Sequence, residues 1–229
     1  MNKHYAVADL HGRLDLWNKI DEFTDDSDII YVLGDCGDRG PEGWATIKAV
    51  SKSKKAIYLQ GNHERMLTNA LFAFANEDYS DAYMLTTTNG GQLTLEDAFA
   101  EHNYLEWARF LRTLPAWAEY INTENQHILL SHAGFIVKFN KKGELIIPPT
   151  DDLLWDREHL KKENYPFNPN YYSVFGHTPT PCLLKDGEWE PGAAYLSGNR
   201  IDIDNGSYAT GISCLLNLDS FEEHIFQIK

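Results

Sequence analysis

The chain is poor in cysteine, in positive charge and in long apolar runs, and each shortage narrows what it can be. Its three cysteines, Cys36, Cys182 and Cys214, are odd in number, far apart and without Cys-x-x-Cys spacing. That argues against a thiolate metal site or a disulfide framework and fits a reducing compartment. Lys and Arg total 20 against 34 Asp and Glu, a formal net charge of −14. Such a surface repels a phosphate backbone, so sequence-independent nucleic-acid binding is not expected. No stretch approaches the roughly 18 apolar residues of a membrane span. Met1-Asn2-Lys3-His4 leads into only a short apolar run, not a signal peptide. A soluble, cytoplasmic protein with no membrane partner is the expectation. There is no internal repeat and no low-complexity tract, and the composition is that of an ordinary globular chain able to build its own core.

Short apolar runs alternate with helix-like segments over the first sixty residues: Tyr5 to Ala8, Arg13 to Phe23, Ile29 to Leu33, Gly43 to Lys52 and Ala56 to Leu59. This is the signature of parallel β-α-β-α-β units. Glu64 to Thr113 reads as helical, interrupted by the loop signal Thr86-Thr87-Thr88-Asn89-Gly90-Gly91, and Thr94 with Asp97 fits a capping box. Residues 77–113, approximately, are expected to form a cap-like helical insertion. Trp117 to Ile121 and His127 to Leu130 suggest a hairpin. Ser173 to Phe175, Ala194 to Leu196, Ile212 to Leu216 and Glu223 to Ile228 read as strands, with connections at 140–150 and 157–170. One α/β domain of layered sheets and outer helices, spanning 1–229, fits this pattern.

Three of these strands end in polar clusters, Asp9-Leu10-His11-Gly12, Gly34-Asp35-Cys36-Gly37-Asp38-Arg39-Gly40 and Gly61-Asn62-His63-Glu64. Side chains at the carboxyl ends of parallel strands converge on a shared crevice. Asp9 and His11 lie two apart and so fall on one side of an extended segment. Asp35, Asn62, His132 and His177 stand at further strand ends, giving six residues of ligand type. A lone Asp or His at a strand end is more often a cap; six together point to metal. Carboxylate, imidazole and amide oxygen suit Mn, Fe or Zn. Six ligands are too many for one open ion but enough for two if Asp35 bridges them, and two ions roughly 3.5 to 4 Å apart can serve an in-line displacement at phosphorus.

In order, Asp-x-His, Gly-Asp-x-x-Asp-Arg-Gly, Gly-Asn-His-Glu, His-Ala-Gly and Gly-His-Thr-Pro resemble the calcineurin-like metallophosphoesterases, above all the small bacterial and phage members of the serine/threonine phosphoprotein phosphatase type. Asn89-Gly90-Gly91 and Ile203-Asp204-Asn205-Gly206 resemble weaker signatures of the bacterial branch. Ala8, where many relatives have glycine, and Cys36-Gly37 depart from the pattern without removing a ligand. The resemblance implies a central β-sandwich of mixed sheets flanked by helices. It also implies two divalent metals, Mn before Fe or Zn. Asp9 and His11 would hold the first, Asp35 would bridge, and Asn62, His132 and His177 would complete the second. His63 would be the general acid, oriented by Asp38, while Arg39 and Arg157 would bind phosphate.

The activity implied is hydrolysis of phosphomonoesters, including phosphoserine or phosphothreonine, by a hydroxide bridging two metals. Similar motifs occur in symmetrical diadenosine tetraphosphatases and tripolyphosphatases, which keeps polyphosphate hydrolysis open, and a silent metal-binding scaffold is a third reading. Blander roles stand beside each assignment: an ion pair within a turn for Asp38 and Arg39, a turn residue for Asn62, an additional ligand or helix start for His63, and a surface pair with Asp156 or Asp152 for Arg157. Cys36 reads as an inert filler or a redox-sensitive thiol, and the aromatics of the helical segment as core or as a platform for a base. Asp202 and Asp204 alternate on a strand end, so only one should face the site. His4, His102, His127, His159 and His224 lie outside the motifs and read as surface residues.

Overall fold

A computed structural model describes residues 2–157, 160, 168–184 and 188–228. The N-terminal units fold as expected: β1 (His4–Val7), α1 (Leu14–Phe23), β2 (Ile29–Val32), α2 (Gly43–Lys52) and β3 (Ala56–Tyr58). Four helices follow, α3 (Asn62–Ala75), α4 (Ser80–Thr88), α5 (Gln92–Ala100) and α6 (Tyr104–Arg112). The second half supplies β4 (Trp117–Ile121), β5 (His127–Ser131), α7 (Thr150–Trp155), β6 (Tyr171–Phe175), β7 (Tyr195–Ser197), β8 (Arg200–Asp202), α8 (Ser207–Thr210), β9 (Ile212–Asn217) and β10 (Glu223–Gln227). The helices α7 and α8 went unread in the sequence because each is too short to show a period, and of β8 only the end at Asp202 was read. Of the connection 157–170, residues 158–159 and 161–167 lie outside the described residues, as does His159.

Two five-stranded mixed sheets result, ordered β10-β9-β1-β2-β3 and β4-β5-β6-β8-β7. β1, β2 and β3 are parallel in one, and β5, β6 and β8 in the other. The first sheet is buried on both faces. Tyr5, Val7, Ile30 and Val32 point into a core with Leu16, Trp17, Ile20, Trp44 and Ile47 of the helices. Alternate residues Ala6, Ala8, Tyr31 and Leu33 pack against Ile128, Leu130, Val174 and Ile201 of the second sheet. Such strands read as continuous apolar runs, which is why the sequence displayed them so clearly.

Two local expectations fail. Thr94 is no cap, since α5 begins at Gln92 after Gly91 and the Thr94 hydroxyl accepts the Asp38 N–H at 3.0 Å. His4 is half-buried, not a surface residue, stacked on Tyr120 with centroids 4.1 Å apart and with its Nδ1 buried. Half of the aromatics of the helical segment serve the core: Phe72, Phe99, Tyr104 and Trp107 pack against the cluster that covers the first sheet, while Tyr79, Tyr83 and Phe110 are exposed. Among the described residues no helix is long and apolar enough to cross a membrane.

Candidate active site

Parallel strands of both sheets run out toward one edge, and backbone hydrogen bonds carry the pairing on into the loops. His11 N–H donates to Asp35 O at 2.8 Å and Gly12 N–H to Cys36 O at 2.7 Å, locking the loops after β1 and β2. In the second sheet, Gly176 N–H donates to His132 O at 2.8 Å, joining the loops after β5 and β6. The loops hold their shape under strain: Asp9, His11, Asp35, Asp38, Arg39 and His177 all have positive φ, between 41° and 72°. Left-handed backbone at non-glycine residues is costly and persists where surrounding contacts over-determine it, typically at functional sites.

Asp35 is the hub. Its Oδ2 lies 3.4 Å from His132 Nε2, 3.6 Å from His11 Nε2 and 3.9 Å from His63 Nε2. Burial pushes the Asp35 carboxyl up, but the imidazoles of His132, His63, His11 and His177 outweigh it and hold the group below the usual carboxylate range. Asp9 Oδ1 is 3.8 Å from His11 Nε2, and its Oδ2 accepts the His177 N–H at 2.9 Å. Burial, then Asp204 and Asp35, raise Asp9 well above the ordinary range. Asn62 Oδ1 and His177 Nδ1 sit 2.8 and 3.0 Å from His132 Nε2. These residues are almost wholly buried.

Proton placement tests whether a cation fits. His11 Nδ1 is 2.9 Å from Gly37 O and His132 Nδ1 is 2.9 Å from Leu33 O. A carbonyl only accepts, so both rings carry the proton on Nδ1 and turn an Nε2 lone pair inward. His11 Nε2 and His177 Nε2 are buried without a hydrogen-bond partner. His132 Nε2 faces Asn62 Oδ1, one acceptor against another. The inward lone pairs of His11 and His132, gathered beside the Asp9 and Asp35 carboxylates, suit a positive ion. His11, Asp35 and His63 form one group able to hold a metal, and Asp35, His132 and His177 a second, sharing Asp35.

His63 differs from the other histidines of the site because a charged side chain meets each of its ring nitrogens. Its Nδ1–H donates to Asp38 Oδ2 at 2.7 Å, and its Nε2 accepts from Arg39 Nη2 at 3.0 Å. Burial lowers its proton affinity, yet Asp35 and the hydrogen-bonded Asp38 outweigh that and raise it. Arg39 also lies over the Tyr208 ring, 5.2 Å from its centroid. Arg157 stands at the rim, donating through Nε to Thr178 Oγ1 at 3.1 Å and through Nη2 to His177 O at 3.4 Å.

A family model of the calcineurin-like phosphoesterases matches residues 3–204. The chain belongs to the calcineurin-like phosphoesterases. Serine/threonine-protein phosphatase 2 of Salmonella typhimurium is 27% identical over 220 residues, 90% of this phosphoesterase and 88% of that protein. A solved structure provisionally identified as a diadenosine tetraphosphatase superposes with a TM-score of 0.61 at 14% identity, covering 98% of this chain and 93% of that one. A protein serine/threonine phosphatase from Saccharomyces cerevisiae gives 0.55 at 13% identity, over 100% and 80%. At such identities the likeness is one of fold, the two mixed sheets flanked by helices.

The structure also gives work to Glu64 and Tyr208 of this phosphoesterase, which had no role in the sequence reading, and bears on Cys36 and Asp204, which had. Glu64 lies buried beneath the hub, its Oε2 accepting the N–H groups of Asp35 at 2.7 Å and Gly61 at 2.9 Å. Its Oε1 takes Cys36 N–H at 2.8 Å and the Tyr58 hydroxyl at 2.7 Å. The signal was its place in Gly-Asn-His-Glu. Cys36 is fully buried, and burial together with Glu64 pushes its thiol well up, which favours the inert reading. Asp204 is the carboxylate acting most strongly on Asp9; burial, and to a lesser degree Asp35, raise it to about 7 against the opposing Gly206 N–H bond. Tyr208 had no sequence signal at all.

Proposed function

We propose that this phosphoesterase is a phosphomonoesterase using two divalent metals, with phosphoserine or phosphothreonine side chains as its substrate class. The observation that carries the reading is Asp35 Oδ2, 3.4 to 3.9 Å from imidazole nitrogens of three separate strand ends, next to an Asp38–His63 pair bonded at 2.7 Å. Ion binding alone would have no use for that pair or for Arg39. Asp9, His11 and Asp35 would hold one metal, and Asp35, Asn62, His132 and His177 the other. The mixed oxygen and imidazole donors suit manganese first and iron or zinc next. Bound there, such ions supply an acidified water and neutralise phosphate charge.

The chain's own residues supply the remainder. Asp38 fixes the His63 ring with Nδ1 protonated, so a second proton on Nε2 is presented outward to the oxygen of the leaving alcohol. General acid help of this kind is worth roughly a hundred- to ten-thousandfold. Arg39 moves from His63 Nε2 to the phosphate oxygens, where its planar fork of donors fits, and Arg157 meets them from the opposite rim. A net charge of −14 does not oppose a phosphorylated substrate, because nearby guanidiniums and metals set the local field. We further propose a single domain in which α4 to α6 are an insertion, located in the cytoplasm.

A second reading, hydrolysis of dinucleoside polyphosphates, draws support from two half-exposed aromatics at the cluster. Tyr208 is edge-on to His11 at 5.8 Å and Trp155 edge-on to His177 at 6.4 Å, each able to stack on a base. Metal-stripped protein reloaded with manganese, iron or zinc, with content measured by elemental analysis, tests both readings on phosphopeptides, p-nitrophenyl phosphate and diadenosine tetraphosphate. Phosphate released from the monoesters supports the first, and preferential cleavage of the dinucleotide the second. Stoichiometric metal with no hydrolysis of any ester would overturn both in favour of a scaffold.

A further inference from the structure

The Asn89-Gly90-Gly91 loop and Thr94 stand outside the site just described, yet they touch its most strained segment. Asp38 and Arg39 are consecutive residues with φ of 64° and 63°. Both of their backbone N–H groups are held by the α4–α5 region: Asp38 N–H donates to Thr94 Oγ1 at 3.0 Å, and Arg39 N–H to Gly90 O at 2.8 Å. Thr94 is buried, and its hydroxyl fills the space that a side chain on Gly43 would occupy, since a Cβ there would lie 2.2 Å from Oγ1. A Cβ on Gly91 would stand 3.1 Å from Asp38 Oδ1 and 2.5 Å from Leu85 Cγ, so the second glycine lets the loop close over the Asp38 carboxylate.

We infer that Thr94 and Gly90 form a clasp that holds the Asp38–Arg39 backbone in its left-handed conformation, and that through it α4 and α5 position the Asp38–His63 pair and the Arg39 guanidinium. Thr94 is a positioning residue, acting through Asp38 without touching substrate. The physical reason is that two adjacent left-handed residues relax toward ordinary backbone unless their amides are pinned. Losing one pin rotates the carboxylate that aims His63. The inference rests on the reading of His63 as the acid, and it predicts a lesion that depends on the leaving group.

The test compares Thr94→Val and Thr94→Ser with wild type and His63→Asn. One readout is hydrolysis of aryl and alkyl phosphates of graded leaving-group strength; the other is the proton NMR signal of the His63 Nδ1–H in histidine-labelled protein. Thr94→Val is expected to lose roughly ten- to a hundredfold in kcat on alkyl phosphates and little on p-nitrophenyl phosphate. Its Nδ1–H signal should shift or broaden, and Thr94→Ser should restore both. A merely structural residue would lower every substrate alike. Thr94→Val that keeps the wild-type leaving-group dependence and signal overturns the clasp. If His63→Asn keeps the wild-type leaving-group dependence while Thr94→Val still moves the signal, the acid assignment fails and the clasp stands. Should Thr94→Val not fold, Thr94→Ala removes the hydroxyl without steric demand and carries the same two readouts.

Discussion

Gly176→Ala would strike one candidate ligand and leave the others in place. Gly176 precedes His177 at the end of β6, and its backbone lies outside the left-handed region, so alanine suits the conformation itself. The trouble is space: the new Cβ would sit 2.0 Å from Asp9 Oδ2, 2.7 Å from Ala8 Cβ and 3.2 Å from Asp9 Cγ. The Asp9 carboxylate must retreat by more than an ångström and give up its bond from His177 N–H at 2.9 Å. A lost hydrogen bond to a charged group costs about 1.5–3 kcal/mol and overpacking about 1–3 kcal/mol, together about 2.5–6 kcal/mol. For a chain of this size the melting temperature should fall by roughly 5–24 °C. Displacing one ligand should also weaken metal binding about ten- to a hundredfold, the scale seen when a ligand loses its support. Thermal unfolding with and without manganese reads both effects, because bound metal raises Tm by mass action. A Gly176→Ala protein that melts within about 2 °C of wild type and gains as much from manganese would refute the placement of Asp9.

Glu64→Ala should leave three backbone N–H groups and the Tyr58 hydroxyl without their carboxylate, at about 1–3 kcal/mol each, a sum comparable with the whole stability of a domain. Urea unfolding should show a large loss of midpoint or no cooperative transition; a midpoint near wild type would mean that water replaces the carboxylate at little cost. Native protein treated with iodoacetamide should label at exposed Cys182 alone, read by peptide mass spectrometry, since Cys36 and Cys214 are buried and burial raises both thiols. Labelling of Cys36 in folded protein would contradict the inert reading. Arg39→Ala should raise KM for phosphate esters and weaken inhibition by inorganic phosphate by roughly tenfold, because a charge-assisted contact is lost. Arg157→Ala, at the rim, should show the smaller effect, and the reverse order would exchange their roles.

The residues gathered at this site were legible along the chain because they lie in short-range groups. Asp9 with His11, Asp35 with Asp38 and Arg39, and Asn62 with His63 each occupy one strand-to-helix turn, and a turn's sequence records its own geometry. The parallel strands that present them are buried on both faces, which writes them as unbroken apolar runs. From these came the layered α/β domain and the hub carboxylate; His132 and His177 were read from later strand ends, and the sandwich of mixed sheets was implied by the family resemblance. Tertiary structure decided what distance in the chain conceals. Thr94 looked like a cap from its neighbours; fifty-six residues from Asp38, it became that residue's hydrogen-bond partner. Glu64 had a motif but no role until Asp35 and Cys36 folded onto it. Tyr208 reached Arg39 only because α8 follows a strand of the other sheet. A local pattern reports the conformation a segment prefers, whereas the partner of a buried polar atom is settled by packing between segments.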